Sequence, residues 1–124
     1  MTDALNGLRI LLVEDEAMIA MLFEDMLIDS GATVIGPASG VSAALSAIEN
    51  EPIDGALLDV NLGGEQSFDV ADALAKRNIP FVFVTGYGAA GVRDRYPDAP
   101  TLQKPFVAED LERALAQLAT AARD

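Results

Sequence analysis

Leu8-Arg9-Ile10-Leu11-Leu12-Val13-Glu14-Asp15-Glu16 is a short, branched, apolar run that stops abruptly at three acids, and its reading decides the fold. A run of this length with a single charge fits a strand buried on both faces, as in a parallel sheet covered by helices. Ala17 to Ser30 then takes up the helical period. Ile19, Leu22, Phe23, Met26 and Leu27 form one stripe, Glu24, Asp25 and Asp29 stand opposite, and Gly31 closes the helix. The unit is therefore a buried strand, an acidic end and an amphipathic helix.

The same alternation continues downstream. Ala32–Ile35 leads through Gly36-Pro37 into Ser39–Asn50, where Val41, Leu45 and Ile48 recur at helical spacing until Pro52. Ile53–Leu58 is a third run, terminating at Asp59. After a Gly63-Gly64 turn, Ser67 is placed to cap a helix with Val70, Ala71, Leu74 and Ala75 facing inward and Asp69, Asp72 and Lys76 facing water. Phe81–Val84 is the fourth run, ending at Thr85. Thr101-Leu102-Gln103 is a short fifth, followed by Lys104-Pro105 and by a last helix from about Val107 that buries Leu111, Ala114, Leu115 and Leu118.

Strand-like runs alternating with helices in 124 residues predict one α/β unit with a doubly wound, five-stranded parallel sheet. Residues 1–7 read as an N-terminal tail and 8–124 as the domain. In such sheets ligands bind beyond the carboxyl ends of the strands, where strand order reverses. In the flavodoxin-like order 2-1-3-4-5 that edge brings together Glu14 and Asp15, Asp59, Thr85 and Lys104.

Composition narrows the chemistry that this edge can carry. The chain has no His, Cys or Trp, so it has no imidazole base, thiolate, disulfide or His/Cys metal site. Twenty acids against eight bases leave a net charge of −12, which argues against nucleic-acid or anionic-lipid partners. No apolar stretch approaches the ~18 residues of a membrane span, and Met1–Gly7 has no basic signal-peptide region. A cytoplasmic location is the expectation. Carboxylates ~4 Å apart repel by about 4 kcal/mol per pair at an effective dielectric of ~20, so a cation belongs at this edge. Oxygen-only ligands suit Mg²⁺, with Mn²⁺ as the alternative. Asp59 is a nucleophile able to form an aspartyl phosphate.

At these residues the chain resembles the receiver domain of bacterial two-component response regulators, along nearly its whole length. The matching segments are Ile10–Glu16, Leu57–Leu62, Val84-Thr85-Gly86 and Gln103-Lys104-Pro105-Phe106. The resemblance implies that Asp59 accepts a phosphoryl group from a histidine kinase or phosphotransfer protein, and that Glu14, Asp15, Asp59 and the backbone carbonyl of Asn61 arrange Mg²⁺. It implies that Thr85 binds a phosphoryl oxygen, that Gly86 leaves room for the group, and that a cis Lys104-Pro105 bond aims the ammonium into the site. The donor imidazole belongs to the partner, so this chain needs none. Such a protein is an acceptor rather than an enzyme, taking part in its own phosphorylation and slow autodephosphorylation.

Phe83-Val84-Thr85-Gly86-Tyr87 resembles the FAT GUY subgroup of receivers, linked to HWE-type sensor kinases. Receivers with the ordinary switch carry an aromatic residue three positions before the lysine, where this chain has Thr101; Tyr87 is the nearby aromatic candidate for a substitute role. Gly-rich residues 86–100 predict a short or poorly ordered fourth helix. The fingerprint-like Gly86-Tyr87-Gly88-Ala89-Ala90-Gly91 follows the fourth strand rather than the first, and carries no dinucleotide reading. The expected function is a stand-alone receiver that switches contacts with an output protein, through the face of the last two helices and the fifth strand, or that serves as a phosphate sink. The alternative is a degenerate receiver acting as a phosphorylation-independent interaction module.

Overall fold

The computed structural model describes residues 5–62, 64–85, 96, 99–103 and 107–123. The elements are β1 (Arg9–Val13), α1 (Ala17–Asp29), β2 (Thr33–Ala38), α2 (Val41–Asn50), β3 (Gly55–Asp59), β4 (Asn61–Leu62), β5 (Glu65–Gln66), α3 (Phe68–Lys76), β6 (Phe81–Thr85), β7 (Thr101–Gln103) and α4 (Ala108–Arg123). The main sheet runs β2-β1-β3-β6-β7 with every pairing parallel. This is the expected 2-1-3-4-5 order once the small β4–β5 hairpin is set aside. The hairpin was not legible as strands, because its arms are two residues each around Gly64, whose φ is +98°. The helix expected within residues 86–100, the cis bond expected at Lys104-Pro105, and Gly86, Tyr87 and Lys104 themselves lie outside the described residues.

Period-two alternation in the central strands divides the core in two. Ile10, Leu12, Leu57, Val82 and Val84 pack with Phe23 and Leu27 of α1 and with Leu111, Leu115 and Leu118 of α4. Leu11, Val13, Leu58 and Phe83 pack on the other face with Ala44 and Ile48 of α2 and with Phe68, Val70, Ala71 and Leu74 of α3. All five residues of β3 are buried, as expected of the middle strand of a sheet covered on both sides. The stripe expected for the last helix is buried as read: Leu111, Ala114, Leu115 and Leu118.

Several local readings are corrected. β2 continues past Ile35 through Gly36-Pro37, whose peptide bond is cis, and its register with β1 shifts between Leu11 and Val13. A proline is tolerated there because β2 is an edge strand. Leu22 is 48% exposed rather than inward. The buried line of α1 is Ala20, Phe23 and Leu27, and Leu22 stands ~100° round the helix from Phe23. Ala75 is likewise exposed, while Asp72, expected in water, is half-buried and accepts a hydrogen bond from the Tyr96 hydroxyl. Ser67 occupies the N-cap of α3 but its hydroxyl makes no capping bond, and it is fully buried.

The described chain is also folded ahead of Leu8. Leu5 is fully buried in the α1 side of the core and donates its N–H to the Ser30 carbonyl at 3.0 Å. Gly7 donates to the Gly31 carbonyl at 3.3 Å. Gly31 has φ +93°, and a Cβ there would stand 2.8 Å from the Asn6 Cα, so glycine is what lets these segments meet.

Candidate phosphoacceptor site

Register alone places the acids. Val13 of β1 pairs with Leu58 of β3, so the next residues, Glu14 and Asp59, leave the sheet side by side. Asp59 pairs with Val84 of β6, and Thr85 follows one residue later. The turn after each strand is held by the main chain: the Glu14 N–H donates to the Ala38 carbonyl at 3.0 Å, and the Val60 N–H to the Val84 carbonyl at 2.9 Å. The site is thus built at the carboxyl ends of β1, β3 and β6, where the strand order reverses.

One carboxylate oxygen each from Glu14, Asp15 and Asp59 lies within 4.8 Å of the others. Glu14 and Asp59 are only 2% and 6% exposed, whereas Asp15 faces solvent. Mutual repulsion is therefore concentrated in the buried pair, since water and salt screen Asp15. Part of the cost is met by backbone donors. Glu16 donates its N–H to Glu14 Oε1 at 3.1 Å, and Asn61 donates to Asp59 Oδ1 at 3.2 Å. The all-oxygen donor set, two members of it buried and one open to water, fits a hard cation that keeps part of its hydration.

Thr85 is buried at 7% exposure beside this cluster, at the end of β6. Its strand pairs with β7, placing Thr85 beside Gln103, immediately before Lys104. Asn61 is the first residue of the hairpin, with an exposed side chain and its N–H turned to the Asp59 carboxylate. The structure brings together Glu14, Asp15, Asp59, Asn61 and Thr85. It does not bring Thr101 to them: Thr101 is exposed, and its hydroxyl donates to the Ala99 carbonyl at 3.4 Å.

Sequence reasoning missed the aromatic group behind Thr85. Phe68 and Phe83 meet edge to face at 6.0 Å between centroids, Phe81 and Phe83 at 5.2 Å, and Tyr96 packs on both Phe81 and Phe83 at 5.5 and 5.7 Å. The alternate spacing of Phe81 and Phe83 in the fourth run signalled two rings on one face. Tyr96, in a stretch with no periodicity, carried no such signal.

The family model for the response regulator receiver domain matches residues 10–116, and the chain belongs to that family. The transcriptional regulatory protein PdtaR of Mycobacterium tuberculosis is 32% identical over 117 residues, covering 91% of this chain and 57% of that protein. The chain spans about half the length of the curated relatives it matches. Among solved structures, SdrG from Sphingomonas melonis Fr1 is 50% identical with a TM-score of 0.79, over 93% of this chain and 97% of that one. The receiver domain of the sensor histidine kinase PA1611 from Pseudomonas aeruginosa is 26% identical with a TM-score of 0.78, over 92% and 98% of the two chains, and its structure holds a magnesium ion in the active-site cleft. Among the described residues, no helix is long and apolar enough to cross a membrane.

Proposed function

We propose that Asp59 accepts a phosphoryl group from a histidine kinase or phosphotransfer protein, and that the change is read by an output protein or ends there as a phosphate sink. The observation that carries this reading is the buried Asp59 carboxylate set by strand register between Glu14 and Thr85. In the transfer, a carboxylate oxygen of Asp59 bonds to phosphorus while the bond from phosphorus to the donor imidazole nitrogen breaks, and that nitrogen is released as the leaving group. Thr85 donates its hydroxyl to an equatorial phosphoryl oxygen. Lys104, following Gln103, brings a fixed positive charge to another, which is the main help a protein gives phosphoryl transfer.

Glu14, Asp15, Asp59 and the Asn61 carbonyl are the residues that would hold Mg²⁺ or Mn²⁺, and the ion would supply neutralising charge to the transferring group. The protein is an acceptor that loses its phosphoryl group slowly to water, not a turnover enzyme. Its setting is the cytoplasm, with a kinase of the HWE type as donor.

The donor's landing surface adjoins the site. Met18, Met21 and Leu22 are 85%, 62% and 48% exposed on the first turns of α1, directly after Asp15 and Glu16. α1 has acids at Glu24, Asp25 and Asp29 and no base, so it suits an apolar partner face flanked by Lys or Arg and repels a second copy of itself. An NMR titration with Mg²⁺ and beryllofluoride tests the reading. Amide shifts centred on Asp15, Asp59 and Thr85 are expected; a spectrum unchanged at saturating reagent contradicts phosphoacceptance and favours the degenerate interaction module.

A further inference from the structure

Thr101 and Phe83 are register partners in parallel strands, so an aromatic side chain at 101 would lie beside the Phe83 ring on the same face of the sheet. Thr101 instead faces solvent and bonds the Ala99 carbonyl. The ring that does pack on Phe83 is that of Tyr96, which also packs edge to face on Phe81. Phe81, Phe83 and Thr85 alternate along β6 and so share one face of that strand. Tyr96 therefore leans on the row that ends in Thr85.

Tyr96 is tied at both ends. Its hydroxyl donates to the Asp72 carboxylate on α3, and its carbonyl accepts the Ala99 N–H at 3.2 Å, two residues before β7 begins. Phe68, the first residue of α3, also packs edge to face on Phe83. A displacement of Thr85 and β6 toward a phosphoryl group on Asp59 thus has a packed path to Tyr96 and on to α3 and the start of β7. Close-packed rings pass such a displacement on rather than absorb it.

We propose that Tyr96, acting through Phe83 and Phe81, is the aromatic residue that couples Thr85 to the outer face of this receiver, in place of an aromatic at 101. It is a positioning residue, not a catalytic one, and the proposal rests on the phosphoacceptor reading of Asp59. Its output is the contact between Tyr96 and Asp72 in the middle of α3, with Ala99 of the segment entering β7 held to the Tyr96 carbonyl.

The test follows the Tyr96 ring resonances and the Asp72 amide by NMR, with Mg²⁺ and beryllofluoride as the probe, in the parent chain and in Tyr96→Phe. The parent should show shifts at Asp59 and Thr85 together with shifts at the Tyr96 ring and at Asp72. In Tyr96→Phe, which keeps the ring and removes only the hydroxyl, the shifts at Asp59 and Thr85 should persist and the shift at Asp72 should fall at least severalfold. Site shifts with an unmoved Tyr96 ring, or an Asp72 response undiminished in Tyr96→Phe, would overturn this assignment while leaving the phosphoacceptor intact. Silence at Asp59 and Thr85 as well would overturn both. Phe83→Leu provides a second variant, expected to keep the site shifts and uncouple Tyr96 from them.

Discussion

The ring of Tyr96 packs on that of Phe83 with centroids 5.7 Å apart, while its hydroxyl donates to Asp72 on α3. One residue thus bridges the strand that ends in Thr85 and the helix that follows the β4–β5 hairpin. A hydrogen bond to a carboxylate contributes about 1.5–3 kcal/mol where it is shielded, and Asp72 is only half-buried. Tyr96→Phe and Asp72→Ala should each destabilise by about 1–2 kcal/mol in urea unfolding. The double variant should lose less than the two single losses combined, and strict additivity would mean that the bond contributes nothing.

Mg²⁺ should stabilise the fold by about 2.7 kcal/mol at a hundredfold excess over its Kd, seen as a rise in Tm. Asp15→Asn should remove most of that rise while leaving the metal-free Tm unchanged or higher, because an exposed member of a like-charged cluster is being neutralised. A Tm indifferent to Mg²⁺ in the parent chain would speak against the metal site.

Phe23 and Leu22 are neighbours in sequence with opposite environments, 1% and 48% exposed. Phe23→Ala should cost about 3–5 kcal/mol and Leu22→Ala well under half of that. Equal losses would put the buried face of α1 where the hydrophobic pattern alone had it.

The exposed stripe on α1 predicts a division between donors. Met18→Glu with Met21→Glu should slow phosphotransfer from a protein donor about tenfold or more, equivalent to ~1.4 kcal/mol of lost docking energy. Labelling by acetyl phosphate, which needs no docking surface, should be unaffected. Equal slowing with both donors would place the defect at the site itself.

Gly31→Ala should destabilise by about 1–3 kcal/mol, since alanine is strained at positive φ and its Cβ would press on Asn6. The Mg²⁺-dependent gain in Tm should survive, because the contact lies outside the acidic cluster.

The strand ends were legible because each is marked twice, by the loss of apolar residues and by a group with its own chemistry. Asp59 after Leu57-Leu58 and Thr85 after Phe83-Val84 are of this kind, and a parallel sheet in this order can only bring them to one edge. The inner face of α1 was harder. Apolar residues occupy so much of Ala17–Leu27 that the pattern does not separate the core line through Phe23 from the exposed line through Met18 and Leu22. Leu5 and Tyr96 were invisible for a different reason: each is held by long-range packing, Leu5 in the α1 core and Tyr96 on Phe81 and Phe83, with no local period to announce it.

The most direct measurement is intact-mass spectrometry of the chain incubated with acetyl phosphate and Mg²⁺, alongside Asp59→Asn. The parent should gain the mass of one phosphoryl group, lose it on mild alkaline or hydroxylamine treatment as an acyl phosphate does, and gain none without the metal. Asp59→Asn should remain unlabelled while keeping its fold. A parent chain that stays unlabelled, or an Asp59→Asn chain labelled as fully as the parent, would contradict the assignment of Asp59 as the phosphoacceptor.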